Sequence, residues 1–333
     1  MAKQDQFLVG MALAYIAAVV AAGAWFGFDI RLGLYIGATW PLLAPIVGGG
    51  FSYIAVRRML GQPARPIAAV SNDCLSVGWP RLRQGLPYFL ILPIFMSVFS
   101  SAKQTIGGFG WDNTFIAIDA ALHGRDPWIF FGPLVASPYA IFIVNFFYNL
   151  WVPVIWAVTI WQTFSAGPHR AQYLISFLLL WILGGTILAH IFASVGPCFV
   201  EAVHDSPHFA TLMERLHAAN ETVPIWAVTT QDYLLSSYHH GTLGFGTGIS
   251  AMPSMHVSIA VLMALLGWRL SRTAGIAFTA YATFIMIGSV SLGWHYAIDG
   301  YAGAALSWAI WRLVGYVLHR VSATGLQPAS RTG

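Results

Sequence analysis

Stretches of roughly 20 residues with almost no charge recur along this chain, and that is the length a helix needs to cross a bilayer. In hydrocarbon every backbone N–H and C=O must be satisfied internally, so such stretches fold as helices packed side by side. Composition leaves no room for a soluble alternative. The 333 residues are 57% hydrophobic and 8% charged, against about a quarter charged in soluble domains. The sequence therefore predicts an all-α polytopic membrane protein. Its net charge of +4 is accounted for by membrane orientation and implies no nucleic-acid partner.

The apolar segments predict about eight transmembrane helices, over residues 7–27, 34–56, 86–106, 138–164, 173–195, 253–268, 274–292 and 296–318. The sixth is short, so its helix is expected to continue past Trp268. The second is interrupted by Pro41, Pro45 and the Gly48–Gly50 run, which neighbouring helices can tolerate. The first is too long for a signal-peptide apolar core and follows only Lys3, so it reads as a retained helix. Cys74 and Cys198 fall on opposite sides of the membrane, in no metal-ligand spacing, and imply no disulfide.

Eight spans put both termini on one side. Lys3, Arg57, Arg58, Arg65, Arg81, Arg83, Arg170, Arg269, Arg272, Arg312, Arg320 and Arg331 lie on that side, and only Arg31, Lys103, Arg125 and Arg215 on the other. The positive-inside rule makes the termini cytoplasmic and the protein a resident of the plasma (inner) membrane. Residues 107–137 are expected to include an interfacial helix. Residues 196–252, ending in the glycine-rich run Gly241–Gly248, are too long for a bare loop and should form short helices. His190 falls inside the fifth span, as a packing group or a proton relay. Asn145, Tyr148 and Asn149 read as polar contacts between helices, and Trp151 as a lipid or interface anchor.

Two short segments carry the chemistry. Ala251-Met252-Pro253-Ser254-Met255-His256-Val257 and Gly293-Trp294-His295-Tyr296-Ala297-Ile298-Asp299 place two histidines and a carboxylate at the outer ends of apolar spans, where ionisable groups are costly. His295 and Asp299 are four apart, one face of a helix. A carboxylate behind an imidazole fixes its tautomer and raises its basicity, so the pair reads as a nucleophile with its orienter. Pro253 would open a helix whose first amides form an anion site, with Ser254 adding a hydroxyl and His256 in the first turn. A zinc site built from His239, His240, His256 and His295 is the metal alternative.

Pro-Ser-x-His followed some forty residues later by His-x-x-x-Asp resembles the type 2 phosphatidic acid phosphatase superfamily. Within it, four stretches resemble the branch related to inositol phosphorylceramide synthase: Ile249–His256, Gly293–Tyr296, Ser194–Cys198 and Ile118–Trp128. The resemblance covers roughly residues 100–318. It implies a six-helix phosphatase-like core within residues 86–320; the apolar pattern puts two helices and a cytoplasmic linker before it, in 1–85, and a disordered tail after it, 321–333. It also implies roles: His295 attacks phosphorus, Asp299 orients it, and His256 protonates the leaving oxygen and then deprotonates the acceptor, with no metal or cofactor.

The chain departs from the superfamily pattern where phosphate charge is met. The arginine usual six residues before the nucleophile is Ser289. The place of a Lys-x6-Arg-Pro element is taken by Gly196-Pro197-Cys198; Arg58 and Arg65-Pro66 imitate its spacing far upstream. Lys103, at an outer span end, is the first candidate to bind the phosphate, with Arg125 and Arg215 behind it; His239 and His240 are further substrate-binding candidates. The outer segments are acidic: 107–137 sums to −2 from Asp112, Asp119, Arg125 and Asp126, and 196–252 to −4 from Glu201, Asp205, Glu214, Arg215, Glu221 and Asp232. Such a field favours a singly charged diester donor, and carboxylates accept hydrogen bonds from polyol hydroxyls. The expected activity is transfer of a phospho-head group, inositol phosphate for example, from a membrane phospholipid to a lipid hydroxyl. A lipid phosphate phosphatase with water as acceptor is the alternative, and a lipid transporter the alternative of another class.

Overall fold

In the computed structural model, which describes residues 3–61 and 65–324, all regular structure is helical. These residues form two compact units: one comprises residues up to Ala102 together with Thr159–Ala171, the other Lys103–Val158 with the chain from Gln172 onward.

The first unit contains α1 (Lys3–Phe26), α2 (Ile36–Leu60) and α3 (Pro66–Asp73), which runs through a π-helical turn at Cys74–Gly78 into α4 (Trp79–Lys103). Residues 66–85, expected as a linker, are thus helical and continuous with the third span. Ring packing of Tyr15 on Phe95 (4.7 Å) fixes α1 to α4. At the other end of α1 the buried Asp5 pairs with Arg170 and accepts from Gln84 Nε2 at 3.2 Å. Burial of that carboxylate is tolerated because both partners are charged or donate to it. Despite its prolines and glycines, α2 is one uninterrupted helix.

The second unit holds α5 (Asp112–His123), a 3₁₀ stretch at Pro127–Val135, α6 (Pro138–Asn149), most of α7 (Trp151–Phe164), and α8 (Arg170–Leu179), which continues through π-helical Leu180–Leu188 into α9 (Ala189–Ile191). Between residues 196 and 252 stand α10 (Val200–His204), α11 (Ala210–Thr222) and α12 (Trp226–His240), so that segment is helical as expected. The core is a hairpin of α13 (Met255–Leu270) and α14 (Arg272–Ser291), joined at Ser271, whose Oγ accepts from Ala274 N at 3.1 Å, followed by α15 (Ala297–Thr324). Small residues let α15 approach α13 closely. A Cβ on Gly303 would stand 2.7 Å from Ser254 O, and Ser307 Oγ donates to Ser258 O at 2.6 Å.

Among the described residues, five helical stretches are long and apolar enough to cross a membrane: Gln4–Phe26, Pro66–Lys103, Pro138–Phe164, Arg170–Ile191 and Arg272–Ser291. By length and composition, five of the eight expected spans stand out in this way. The sixth, α13, does continue to Leu270, yet has only 16 residues. The remaining two, α2 and α15, are long but fall outside the set; α15 carries Asp299, Arg312 and Arg320. Residues 321–324 of the expected tail are helical, and those from 325 lie outside the described residues. His190 is exposed rather than buried, its Nε2 2.9 Å from Thr105 Oγ1 and its Nδ1 2.7 Å from Thr186 O.

Candidate active site

The site grows from two helix N-termini brought together by the α13–α15 crossing. Helix α13 starts at Met255, not at Pro253: Ser254 is the N-cap, extended and fully buried, its Oγ 3.4 Å from Val257 N. The Ser254 oxygen thus accepts at the helix N-terminus, which uses its lone pair and not its O–H. No carbonyl or side chain among the described residues takes the Met255 and His256 amides, which leaves these two donors at the positive end of the helix dipole. Ser254 N donates to Asp299 O at 3.0 Å, a direct tie between the two motifs.

His256, half-buried, is held between two aromatic rings. Tyr148 stacks on it at 4.9 Å and 24°, and Trp151 lies 4.3 Å away, with its Nε1 donating to His256 O at 3.0 Å. Trp151 is buried, so it is a wall of the site and not a lipid anchor. The His256 and His295 rings stand 5.9 Å apart, edge to face.

His295 does not lie on α15. It sits in the turn after α14, where Ser289 O accepts from both Trp294 N (3.0 Å) and His295 N (3.1 Å). The backbone carbonyl of Ser289, rather than its side chain, shapes the turn. The i,i+4 pairing survives because Asp299 is at the third position of α15 and reaches back, its Oδ2 accepting from Tyr296 N at 3.0 Å and standing 3.4 Å from His295 Nδ1. This is the return half of a capping box. Asp299 is fully buried and His295 nearly so.

Two carboxylates that the sequence places at the outer surface are instead buried supports. Asp119 on α5 accepts from Ala297 N (2.7 Å) and Ile298 N (2.9 Å), closing the first two amides of α15. Burial holds this carboxyl above the ordinary aspartate range, against the lowering effect of the two amides. Asp112 accepts from Val195 N, Gly196 N, Tyr296 Oη (2.8 Å) and His204 Nε2 (2.9 Å). Through it the Ser194–Cys198 segment is bound to the residue after His295. Gly196 lies against Trp294, at φ +85° and with room for no side chain: a Cβ would be 2.6 Å from Trp294 O. Cys198 N donates to Gly293 O at 2.8 Å, and burial pushes its thiol well above the usual range.

Among the remaining candidates, Lys103 is the one whose charge is felt at His256. Half-buried at the end of α4, it packs under Gly248 of the glycine-rich loop, where a Cβ would meet Lys103 Cγ at 3.0 Å, and it is electrostatically coupled to His256. Arg125 is exposed with its guanidinium over Phe130 (4.5 Å), and Arg215 is exposed over Trp128 (5.7 Å). His239 and His240 end α12, exposed; His240 Nδ1 stands 2.8 Å from Ser236 O. Among the described residues no three His, Cys, Asp or Glu side chains converge as metal ligands, so the four-histidine zinc set is not assembled. Arg58 pairs with Asp73 at 3.4 Å.

Sequence reasoning missed Asp112, Asp119, Tyr148 and Trp151 as parts of this site. A signal existed for the first two: seven apart on an interfacial helix, they share one face, which is unlike a solvated charge pattern. Nothing in the apolar run around Tyr148 and Trp151 distinguishes them from packing residues.

Compared with known proteins, residues 113–313 match a family model described as the PAP2 superfamily. No curated protein and no solved structure matches the chain.

Proposed function

This chain belongs to the PAP2 superfamily and is a membrane phosphatase or phosphotransferase of the type 2 phosphatidic acid phosphatase kind; from that premise we propose that it moves a phospho-head group from a phospholipid to a lipid hydroxyl through a phosphohistidine. The observation that carries the reading is the arrangement of His295, with Nδ1 3.4 Å from Asp299 and its ring 5.9 Å from that of His256.

With Nδ1–H turned to the Asp299 carboxylate, the Nε2 lone pair of a neutral His295 attacks phosphorus. The P–O bond to the leaving group breaks as P–N forms, and protonated His256 gives its proton to the leaving oxygen. The acceptor hydroxyl then returns a proton to His256 while its oxygen displaces His295. In this reading the Met255 and His256 amides and Lys103 meet the phosphoryl charge, supported by the two amides' lack of an acceptor among the described residues and by the effect of Lys103 at His256; Arg125, His239 and His240 have no such support.

Transfer, with inositol phosphate as head group, rests on the four stretches that resemble the inositol phosphorylceramide synthase branch. Hydrolysis, with water as acceptor, is the second reading, and one observation favours it. The acidic field argued against a monoester, but Asp112 and Asp119 are consumed by backbone amides, so most of the charge assigned to 107–137 does not face a substrate. The reaction is proposed to face the extracytoplasmic side, from the distribution of basic residues.

The test is to incubate purified protein with phospholipid radiolabelled at phosphorus, quench, and locate the label, supplying inositol phospholipid and ceramide, then phosphatidate and water. Label on His295, lost in His295→Ala, is expected. Label on another residue would sink the assignment, and the product of the two mixtures separates transferase from phosphatase.

A further inference from the structure

A buried hydroxyl without a partner is rare, because desolvation of the group goes uncompensated. The Tyr148 hydroxyl is one, on a side chain only 3% exposed. Two other tyrosines of this unit are engaged: Tyr296 Oη donates to Asp112 at 2.8 Å and Tyr301 Oη lies 2.9 Å from His123 Nε2. Tyr148 differs in position as well. Its ring stacks on His256, and it is pinned from behind by Gly288, where even a Cβ would stand 2.8 Å from Tyr148 Cδ2. Rings inclined by 24° keep the O–H out of line with the imidazole lone pair, which lies in its own ring plane, so the hydroxyl is not spent on His256.

We infer that Tyr148 is a substrate-contacting residue whose hydroxyl donates to a non-bridging oxygen of the phosphoryl group under attack. This rests on the phosphohistidine reading above and supplies a donor for a site that lacks the usual arginine. As His295 Nε2 bonds to phosphorus and the leaving oxygen takes the His256 proton, Tyr148 keeps its own proton and shares it with the oxygen on which charge accumulates. A neutral donor suits a phosphoryl group of low charge, and the interaction strengthens in the transition state.

Tyr148→Phe removes one atom that the folded protein does not use. The expected result is an unchanged unfolding midpoint, a fall of about 10- to 150-fold in kcat/KM, the range of a hydrogen bond to a charged group, and weaker binding of orthovanadate, a five-coordinate phosphate mimic. Wild-type turnover and vanadate affinity would overturn the inference. So would a lowered midpoint accompanying the lost activity, since the hydroxyl would then be supporting the fold. His295→Ala is run in parallel: if it retains turnover, the phosphohistidine reading itself fails, whatever Tyr148→Phe does.

Discussion

At the scale of single residues, the Asp299 carboxylate does two things at once. It caps the Tyr296 amide, and its Oδ2 stands 3.4 Å from His295 Nδ1, where on the phosphohistidine reading it orients the ring; an asparagine keeps the cap but not the carboxylate charge behind the imidazole. Asp299→Asn should therefore fold with little loss of stability but turn over more slowly by a factor on the order of 10⁴, the size of the tautomer effect in a serine-protease triad. Single-turnover kinetics beside a thermal unfolding curve would check it, and equal losses in both would remove the orienting role. Lys103 makes a separate case. A charged hydrogen bond to phosphate is worth roughly 1.5–3 kcal/mol, so Lys103→Gln should lower kcat/KM about 10- to 150-fold and Lys103→Arg less. A diester should suffer less than a monoester, which brings more charge. Unaltered kinetics on both would return Lys103 to a helix-end anchor.

At the scale of elements, the start of α15 is held by an aspartate from 178 residues away in sequence. Without Asp119 the Ala297 and Ile298 amides lose their acceptors, and a lost N-cap costs about 0.5–2 kcal/mol. Asp119→Ala should lower the unfolding midpoint and the rate of phosphoenzyme formation together, because the α15 start carries Asp299 and follows His295 directly. Asp119→Asn, with one acceptor oxygen left, should lie between. A fully active Asp119→Ala would mean that the turn after α14 is fixed by Ser289 O and Asp112 alone.

At the scale of the whole molecule, twelve of the sixteen basic residues fall on one side of the expected spans, and that bias sets orientation. A cysteine placed in the Gly241–Gly248 loop should react with an impermeant thiol reagent in intact cells whose outer membrane, if any, has been opened. One beside Arg272 should react only once the inner membrane is breached. The native Cys198, half-buried and with its thiol pushed up from the usual range, should react much more slowly than the loop cysteine. The reverse pattern would place the reaction in the cytoplasm.

The sequence by itself determined that this is a helical membrane protein, because apolar length and the absence of charge are local properties with one physical solution. Motif order likewise singled out His256, His295 and Asp299, and the match over residues 113–313 supports the family read from those motifs. Span number was less legible: α13 is short and α15 is charged, so neither reads cleanly against a fixed apolar length. The partner of each polar group was not legible at all. A cost of burial says that an aspartate inside must be paired, but not with what. Asp112 and Asp119 read as surface charge until the fold set backbone amides against them, and Trp151 read as a lipid anchor until α13 came beside it. Of the phosphate-binding candidates, Lys103 is half-buried with its charge felt at His256, whereas Arg125, His239 and His240 are exposed. Such choices rest on contacts between residues 80 to 180 positions apart, where the energy of pairing depends on distances that no local pattern encodes.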